Sequence, residues 1–171
     1  DIYADVLAAC GPGGHWEQAL SILSESQREL PPSELFFNRA LLALASAGEW
    51  QQALLRLDEM RDKELTPDAR TYDAVMSACG KAGAWQKVLE LVDSQAMPSQ
   101  AIYSTAMRVC AEAGAPEAVL SLLDAMPGKG IAVGEQTFAI ALRACKNGFW
   151  ETGLRLFASM PERQIPQTSV A

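Results

Sequence analysis

The residues of this 171-residue chain that could carry out chemistry are four cysteines and a single histidine, His15. Clustered thiolates and imidazoles bind zinc, and a cysteine beside a histidine can act as a nucleophile. The cysteines stand at positions 10, 79, 110 and 145, without a C-x-x-C pair, and the sequence fixes no acid–base partner for His15. We therefore expect no metal site, no cofactor and no catalytic residue, and we predict that the chain is not an enzyme.

The cysteines instead mark equivalent positions of an internal repeat. Each precedes a glycine by three or four residues, and a tryptophan follows in most units. An aromatic residue begins each of five units of about 34 residues, a period typical of helical repeats; these aromatics are Tyr3, Phe37, Tyr72, Tyr103 and Phe138. Equivalent positions of stacked helices lie ~8–10 Å apart, beyond the ~7 Å limit for a disulfide. We predict that the cysteines are buried packing residues.

Each unit has the pattern of two helices. Apolar residues recur at helical spacing between the leading aromatic and the cysteine, and a glycine such as Gly83 then ends the first helix in the left-handed conformation. In the first unit, the run Gly11-Pro12-Gly13-Gly14 is predicted to be the turn between the two helices. The second helix begins near the tryptophan and ends before a proline. Because one hairpin cannot bury its own apolar face, neighbouring hairpins must stack. The predicted fold is all-α, an α-solenoid of about five stacked antiparallel helical hairpins.

The predicted units span residues 1–33, 34–68, 69–99, 100–134 and 135–167. They form a single helical-repeat domain over residues 1–171, which we expect to belong to a longer protein. The net charge of -7 argues against a generally basic nucleic-acid binder. No apolar run approaches the ~18 residues of a transmembrane helix, so we expect membrane association only through partners. No transit peptide is visible.

The repeat resembles the pentatricopeptide repeat (PPR). The run from Arg70 to Gly83 is similar to the opening of that repeat, and the runs 54–60 and 65–68 resemble its closing half. The resemblance implies a location in plastids or mitochondria and binding of single-stranded RNA, one base per repeat. In the family, the residue after the leading aromatic and the last residue of the repeat read the base edge. The residue two before the aromatic packs on the base.

Only the second unit carries a matching set by this resemblance. Asn38 with Asp68 resembles the pair that selects uracil, and Leu35 is the expected packing residue. Ala4 and Ala139, at the equivalent position of other units, cannot hydrogen-bond a base edge. The resemblance also implies that the first helices line the binding surface. By this resemblance, four cations in or beside those helices are candidate phosphate contacts: Lys81, Arg108, Arg143 and Lys146.

Two functions follow from these observations. The mismatched base-reading positions and the acidic charge favour a non-catalytic scaffold or accessory subunit that binds protein subunits of a large organellar complex, such as a ribosome, a respiratory complex or a photosystem. The alternative is an organellar single-stranded RNA-binding module that acts in RNA processing or stability. Asn38→Ala distinguishes them, because only the second hypothesis expects it to change base preference.

Overall fold

The computed structural model describes residues 2–13, 15–94, 99–145, 151 and 154. Within these residues the chain forms helices and no strand, which confirms the all-α fold. The helices are α1 (Ile2–Gly13), α2 (Trp16–Glu29), α3 (Glu34–Ala47), α4 (Trp50–Asp62), α5 (Ala69–Lys81), α6 (Trp85–Asp93), α7 (Gln100–Glu112), α8 (Pro116–Gly128) and α9 (Glu135–Ala144). They belong to two compact units, Asp1–Ala84 and Trp85–Ala171.

The first compact unit consists of two layers of helices. α1, α3 and α5 lie side by side and form what we call the first-helix layer, while α2 packs on α1 and α3, and α4 packs on α3 and α5. The core between the layers is built around Phe37, Leu41 and Leu44, which are fully buried. Each such side chain contributes roughly 1.5–3 kcal/mol by leaving water. The repeats therefore stack in this unit as the sequence pattern predicts.

The second compact unit uses the same arrangement. α7 contacts α6, α8 and α9, and α8 also contacts α9. Its largest fully buried side chains include the leading aromatics Tyr103 and Phe138, with Met107 and Leu123 packed among the same helices. Apart from residues 151 and 154, the predicted second helix of the last repeat lies outside the described residues, as do Pro98, Lys146 and Trp150.

Glycines end three of the first helices as predicted. Gly48, Gly83 and Gly114 have φ between 71° and 78°, a conformation that costs glycine little and other residues more. After each of them, the following N–H donates back to a carbonyl in the last turn of the helix, for example Ala84 N to Cys79 O at 2.8 Å. This is the bond that closes a Schellman-type helix end.

The first helix differs from the sequence prediction at its end. The run from Gly11 to Gly14 has the composition of a turn between helices, but Gly11–Gly13 belong to α1. The prediction was wrong there because packing of α1 on α2 and α3 outweighs the weak helix propensity of glycine and proline.

The cysteines lie where the repeat places them. All four are buried free thiols, and Cys79 and Cys110 are fully inaccessible. In the described part of the chain, no helix is long and apolar enough to cross a membrane.

Candidate nucleic-acid interface

The two predicted base-reading residues of the second repeat lie on either side of one buried hydroxyl. α3 carries the half-buried Asn38, and Asp68 is the exposed residue that begins α5. The hydroxyl of Thr71 lies between them, with its Oγ1 2.6 Å from Asn38 Oδ1 and 2.9 Å from Asp68 Oδ1. Packing of α3 against α5 therefore brings together two residues that are thirty positions apart in the chain.

Asp68 is fixed by a capping box at the start of α5. Its Oδ1 accepts a hydrogen bond from the backbone N–H of Thr71 at 2.9 Å, and its own N–H donates to Thr71 Oγ1 at 3.2 Å. This reciprocal pattern satisfies two donors that a helix start leaves open. The sequence pattern did not select Thr71, although an aspartate just before an apolar helical run is a signal for a helix start.

The carboxyl group of Asp68 is ionised at neutral pH. Partial burial raises its pKa, but hydrogen bonds from the backbone and hydroxyl of Thr71 and from the backbone of Arg70, with the charge of Arg70, outweigh that effect. The net result is a pKa below the ordinary value of 3.8. A negative charge next to Asn38 is therefore part of the site.

Leu35, the predicted base-packing residue, is solvent-accessible on α3, the helix that carries Asn38. It is 49% exposed, and Leu42, seven positions later, is 48% exposed. Residues at i and i+7 share one side of a helix, so these two leucines flank Asn38 on the open side of α3. An exposed apolar side chain on each side of a polar one offers a surface on which a flat base can pack.

A groove runs between α1 and α3 on this side. It has a volume of about 300 Å³ and is lined by Ala8, Gly11, Arg39, Leu42 and Ser46. Arg39 follows Asn38 directly and is the charged residue of a groove that is otherwise lined by small and apolar residues. No sequence pattern marks Arg39 as part of the site, because only the packing of α1 on α3 shows that it borders a groove.

The predicted phosphate contacts are placed differently from one another. Lys81 is exposed, and its Nζ donates to the carbonyl of Ser46 at 3.0 Å, near the end of α3. Arg108 is half-buried, with Nη1 3.5 Å from Glu112 one turn later on α7. Arg143 is exposed near the end of α9, and Lys146 lies outside the described residues. Their contact with phosphate stays a prediction.

The acidic charge is not distributed evenly over the described helices. The first helices of the hairpins, α1, α3, α5, α7 and α9, carry five cations and five carboxylates. The second helices, α2, α4, α6 and α8, carry four cations and ten carboxylates. The first helices are thus neutral, and the excess of acidic charge lies on the second helices, so a polyanion meets least repulsion at the first helices.

Comparison with known proteins identifies the repeat. A family model described as "PPR repeat" matches residues 70–94, 101–131 and 143–165. A chloroplastic pentatricopeptide repeat-containing protein of Arabidopsis thaliana is 36% identical over 91 residues, 52% of this chain and 10% of the relative. The mitochondrial 15S rRNA processing factor CCM1 of Yarrowia lipolytica is 31% identical over 68 residues, 40% of this chain and 9% of the relative. The chain thus spans about a tenth of the length of these curated relatives.

Solved structures give the same result for the fold. The crystal structure of the pentatricopeptide repeat protein PPR10 from maize superposes with a TM-score of 0.81 at 25% identity, over 98% of this chain and 25% of that one. The PPR domain of Arabidopsis thaliana protein-only RNase P 1, solved with tRNA, superposes with a TM-score of 0.68 at 14% identity, over 94% of this chain and 86% of that one.

The comparisons overturn the scaffold hypothesis. The relatives and neighbours that are named for a ligand or an activity are RNA-processing or RNA-bound proteins. The hypothesis of a subunit that binds other proteins was wrong: it counted the mismatched base-reading positions and the net acidic charge against RNA, but the excess of that charge lies on the second helices. The relatives are chloroplastic or mitochondrial, in agreement with the predicted organellar location. This chain belongs to the pentatricopeptide repeat family.

Proposed function

We propose that this chain binds single-stranded RNA on its first helices, as part of an organellar protein that acts in RNA processing or stability. The observation that carries the proposal is the second repeat, where Asn38 and Asp68 are joined through Thr71 beside the exposed Leu35. A polar pair held next to an accessible apolar side chain can read a base edge while the base face is packed.

The arrangement favours single strands over duplexes. Sequence-specific recognition of RNA needs bases whose faces and Watson–Crick edges are both free, which a duplex does not offer. Leu35 supplies an apolar contact for the face of a base, and Asn38 supplies hydrogen-bonding groups for its edge. Arg39, which borders the adjoining groove, supplies a cation for the sugar-phosphate chain.

One complete repeat cannot account for tight binding. Stacking and polar contacts to a base contribute ~1–3 kcal/mol, whereas micromolar affinity needs about 8 kcal/mol. We infer that the remaining repeats contribute phosphate contacts, with Lys81, Arg108, Arg143 and Lys146 as candidates. Because the chain spans about a tenth of its relatives, further repeats of a longer protein would add the rest.

We infer that this segment binds RNA and does not cleave it. The positions that the family model matches are helical repeats, and stacked helical repeats offer an extended binding surface. Neighbours that are protein-only RNase P proteins indicate that such repeats also occur in nucleases, so a catalytic activity of the longer protein is a separate question.

Fluorescence anisotropy with the full chain tests the proposal. A labelled single-stranded RNA and the same RNA annealed to its complement are titrated at several salt concentrations. We expect at least tenfold weaker binding to the duplex, and we expect Leu35→Ala to weaken binding to the single strand. The matched control is Leu55→Ala, which removes an exposed leucine from the second helix α4. Equal binding of both RNAs, or equal effects of both variants, would contradict the proposal.

A further inference from the structure

The inference concerns Thr71 and rests on the proposed function. The Thr71 side chain is fully buried, so water cannot complete its hydrogen bonds. A hydroxyl has one proton to donate and two lone pairs that accept. Three groups surround Thr71 Oγ1: the N–H of Asp68 at 3.2 Å, Asp68 Oδ1 at 2.9 Å and the side-chain amide of Asn38 at 2.6 Å. The single proton therefore has two competing acceptors.

The Asp68 carboxylate is the stronger competitor. It is ionised at neutral pH, and hydrogen bonds to a charged acceptor are about twice as strong as those between neutral groups. It also cannot turn away from the hydroxyl, because the backbone N–H of Thr71 holds the same Oδ1 at 2.9 Å. The Thr71 proton accordingly goes to Asp68.

The side-chain amide of Asn38 must then adapt. With the proton directed to Asp68, an amide oxygen 2.6 Å from Thr71 Oγ1 would bring two lone pairs together. The oxygen and nitrogen of an asparagine amide are nearly equal in size, and the hydrogen-bond network decides which occupies which place. Rotation of the amide by half a turn, with a shift of about 0.1–0.4 Å to the ~2.7–3.0 Å of an N–H···O bond, puts Nδ2–H on the free lone pair of Thr71 Oγ1. All three groups around the hydroxyl are then satisfied.

We propose that Thr71 is a specificity-determining positioning residue of the second repeat. Held by Asp68, its hydroxyl accepts from Asn38 Nδ2 and so presents Asn38 Oδ1, a hydrogen-bond acceptor, to the RNA. An acceptor selects bases whose ring nitrogen carries a proton, which are uracil and guanine. It rejects cytosine and adenine, whose ring nitrogen at that edge is itself an acceptor. Thr71 acts through Asn38 and does not contact the base.

The test compares oligouridine with oligocytidine of equal length on the full chain. Thr71→Val keeps the shape of the side chain and removes the hydroxyl, which frees the Asn38 amide to rotate; Thr71→Ser is the matched control because it retains the hydroxyl. We expect Thr71→Val to reduce the ratio of the two affinities by about two- to tenfold, the usual effect of one hydrogen bond. Thr71→Ser should keep that ratio. Thermal unfolding followed by circular dichroism verifies that each variant is folded.

The possible results separate this inference from the proposed function. If Thr71→Val weakens both RNAs equally, or leaves the ratio unchanged while Asn38→Ala abolishes it, the role of Thr71 is refuted and RNA binding stands. If the unmodified chain binds neither RNA, the proposed function fails and the inference fails with it. If Thr71→Val does not fold, exchange of the Asn38 side-chain amide protons is measured by NMR in the unmodified chain. One protected Nδ2 proton supports the inference, and free exchange of both overturns it.

Discussion

Asp68 has two tasks at the scale of single residues. It begins α5 through its capping box with Thr71, and it holds the hydroxyl that neighbours Asn38. The sequence predicted Asp68 only as a base-reading residue, because a family resemblance carries residue roles and not the contacts between them. The link through Thr71 depends on how α3 packs against α5, which no local pattern in the sequence specifies.

The capping role predicts a graded loss of stability at residue 68. Asp68→Ala removes the acceptor for the Thr71 N–H and should lower the free energy of unfolding by about 1 kcal/mol. Asp68→Asn is the matched control, since asparagine caps helices about as well as aspartate and loses only the contribution of the negative charge. Urea unfolding followed by circular dichroism measures both. Equal losses for the two variants would show that the cap geometry is not what Asp68 contributes.

The lowered pKa of Asp68 predicts a pH dependence with a definite sign. Because the folded chain holds this carboxyl below its ordinary pKa of 3.8, its ionised form stabilises the fold. That contribution is complete above pH 3.8 and is lost as the pH falls through the lower folded pKa. Unfolding free energies of the unmodified chain and Asp68→Asn, measured from neutral to acidic pH, should therefore converge as the pH falls. A constant difference between them would contradict this assignment.

Burial also predicts the reactivity of Cys110. Desolvation raises the pKa of its thiol to about 11, so at pH 8 only about one molecule in a thousand carries the thiolate that reacts with iodoacetamide. Peptide mass spectrometry should find Cys110 unmodified in the native chain and modified in urea. A thiol introduced by Ser121→Cys, on the exposed side of α8, is the accessible reference. Alkylation of Cys110 and of the introduced thiol at the same rate would refute the burial of Cys110.

At the scale of helices, backbone conformation distinguishes two glycines of the second compact unit. Gly114 ends its turn at φ +72°, whereas Gly128 lies within the last turn of α8, and a Cβ at either would meet no atom within 4 Å. Only the backbone conformation therefore differs between the two sites.

Alanine at these two glycines should have opposite effects. Gly114→Ala should lower the free energy of unfolding by about 1–2 kcal/mol, because alanine resists the left-handed conformation. Gly128→Ala should be neutral or add up to about 1 kcal/mol, because alanine restricts the unfolded chain and favours helix. Urea unfolding measures the free energy of unfolding of both variants. A stabilised Gly114→Ala would contradict the assigned turn.

Lys81 connects two first helices and is also a proposed phosphate contact. Its Nζ donates to the Ser46 carbonyl near the end of α3, where the helix dipole favours a cation. Lys81→Met should lower stability by about 0.3–1 kcal/mol. If Lys81 also contacts RNA, the slope of log affinity against log salt should become shallower by about 0.7. Lys63→Met, at the end of the second helix α4, is the control and should leave that slope unchanged.

The helices were the most predictable part of this molecule. The leading aromatics Phe37, Tyr72, Tyr103 and Phe138 follow one another at intervals of 35, 31 and 35 residues and are all buried, because the same position of each hairpin packs against its neighbours. The end of α1 was not predictable, since Gly11 and Pro12 resemble a turn by composition while tertiary contacts keep them helical. The groove at Arg39 was also not predictable from the sequence, because it exists only where α1 packs on α3.

At the scale of the whole molecule, the position of charge is more informative than its sum. A net charge of -7 argued against RNA, but the excess of carboxylates lies on the second helices. RNA laid along the first helices meets equal numbers of cations and carboxylates there. The exact balance depends on the structure, because the helix bounds decide whether Glu34, Arg70 and Glu135 count with the first helices. All three lie in first helices.

The most direct test of the account is to map where RNA touches the protein. The chain is isolated from its organelle after ultraviolet crosslinking, and the peptides bound to nucleotides are identified by mass spectrometry. If RNA binds on the first helices, crosslinks are expected on α3 and α5, around Leu35, Asn38 and Arg39, and few are expected on α2 and α4. Crosslinks concentrated on the second helices, or a set of protein subunits that remains bound after ribonuclease treatment with no crosslinked RNA, would contradict it.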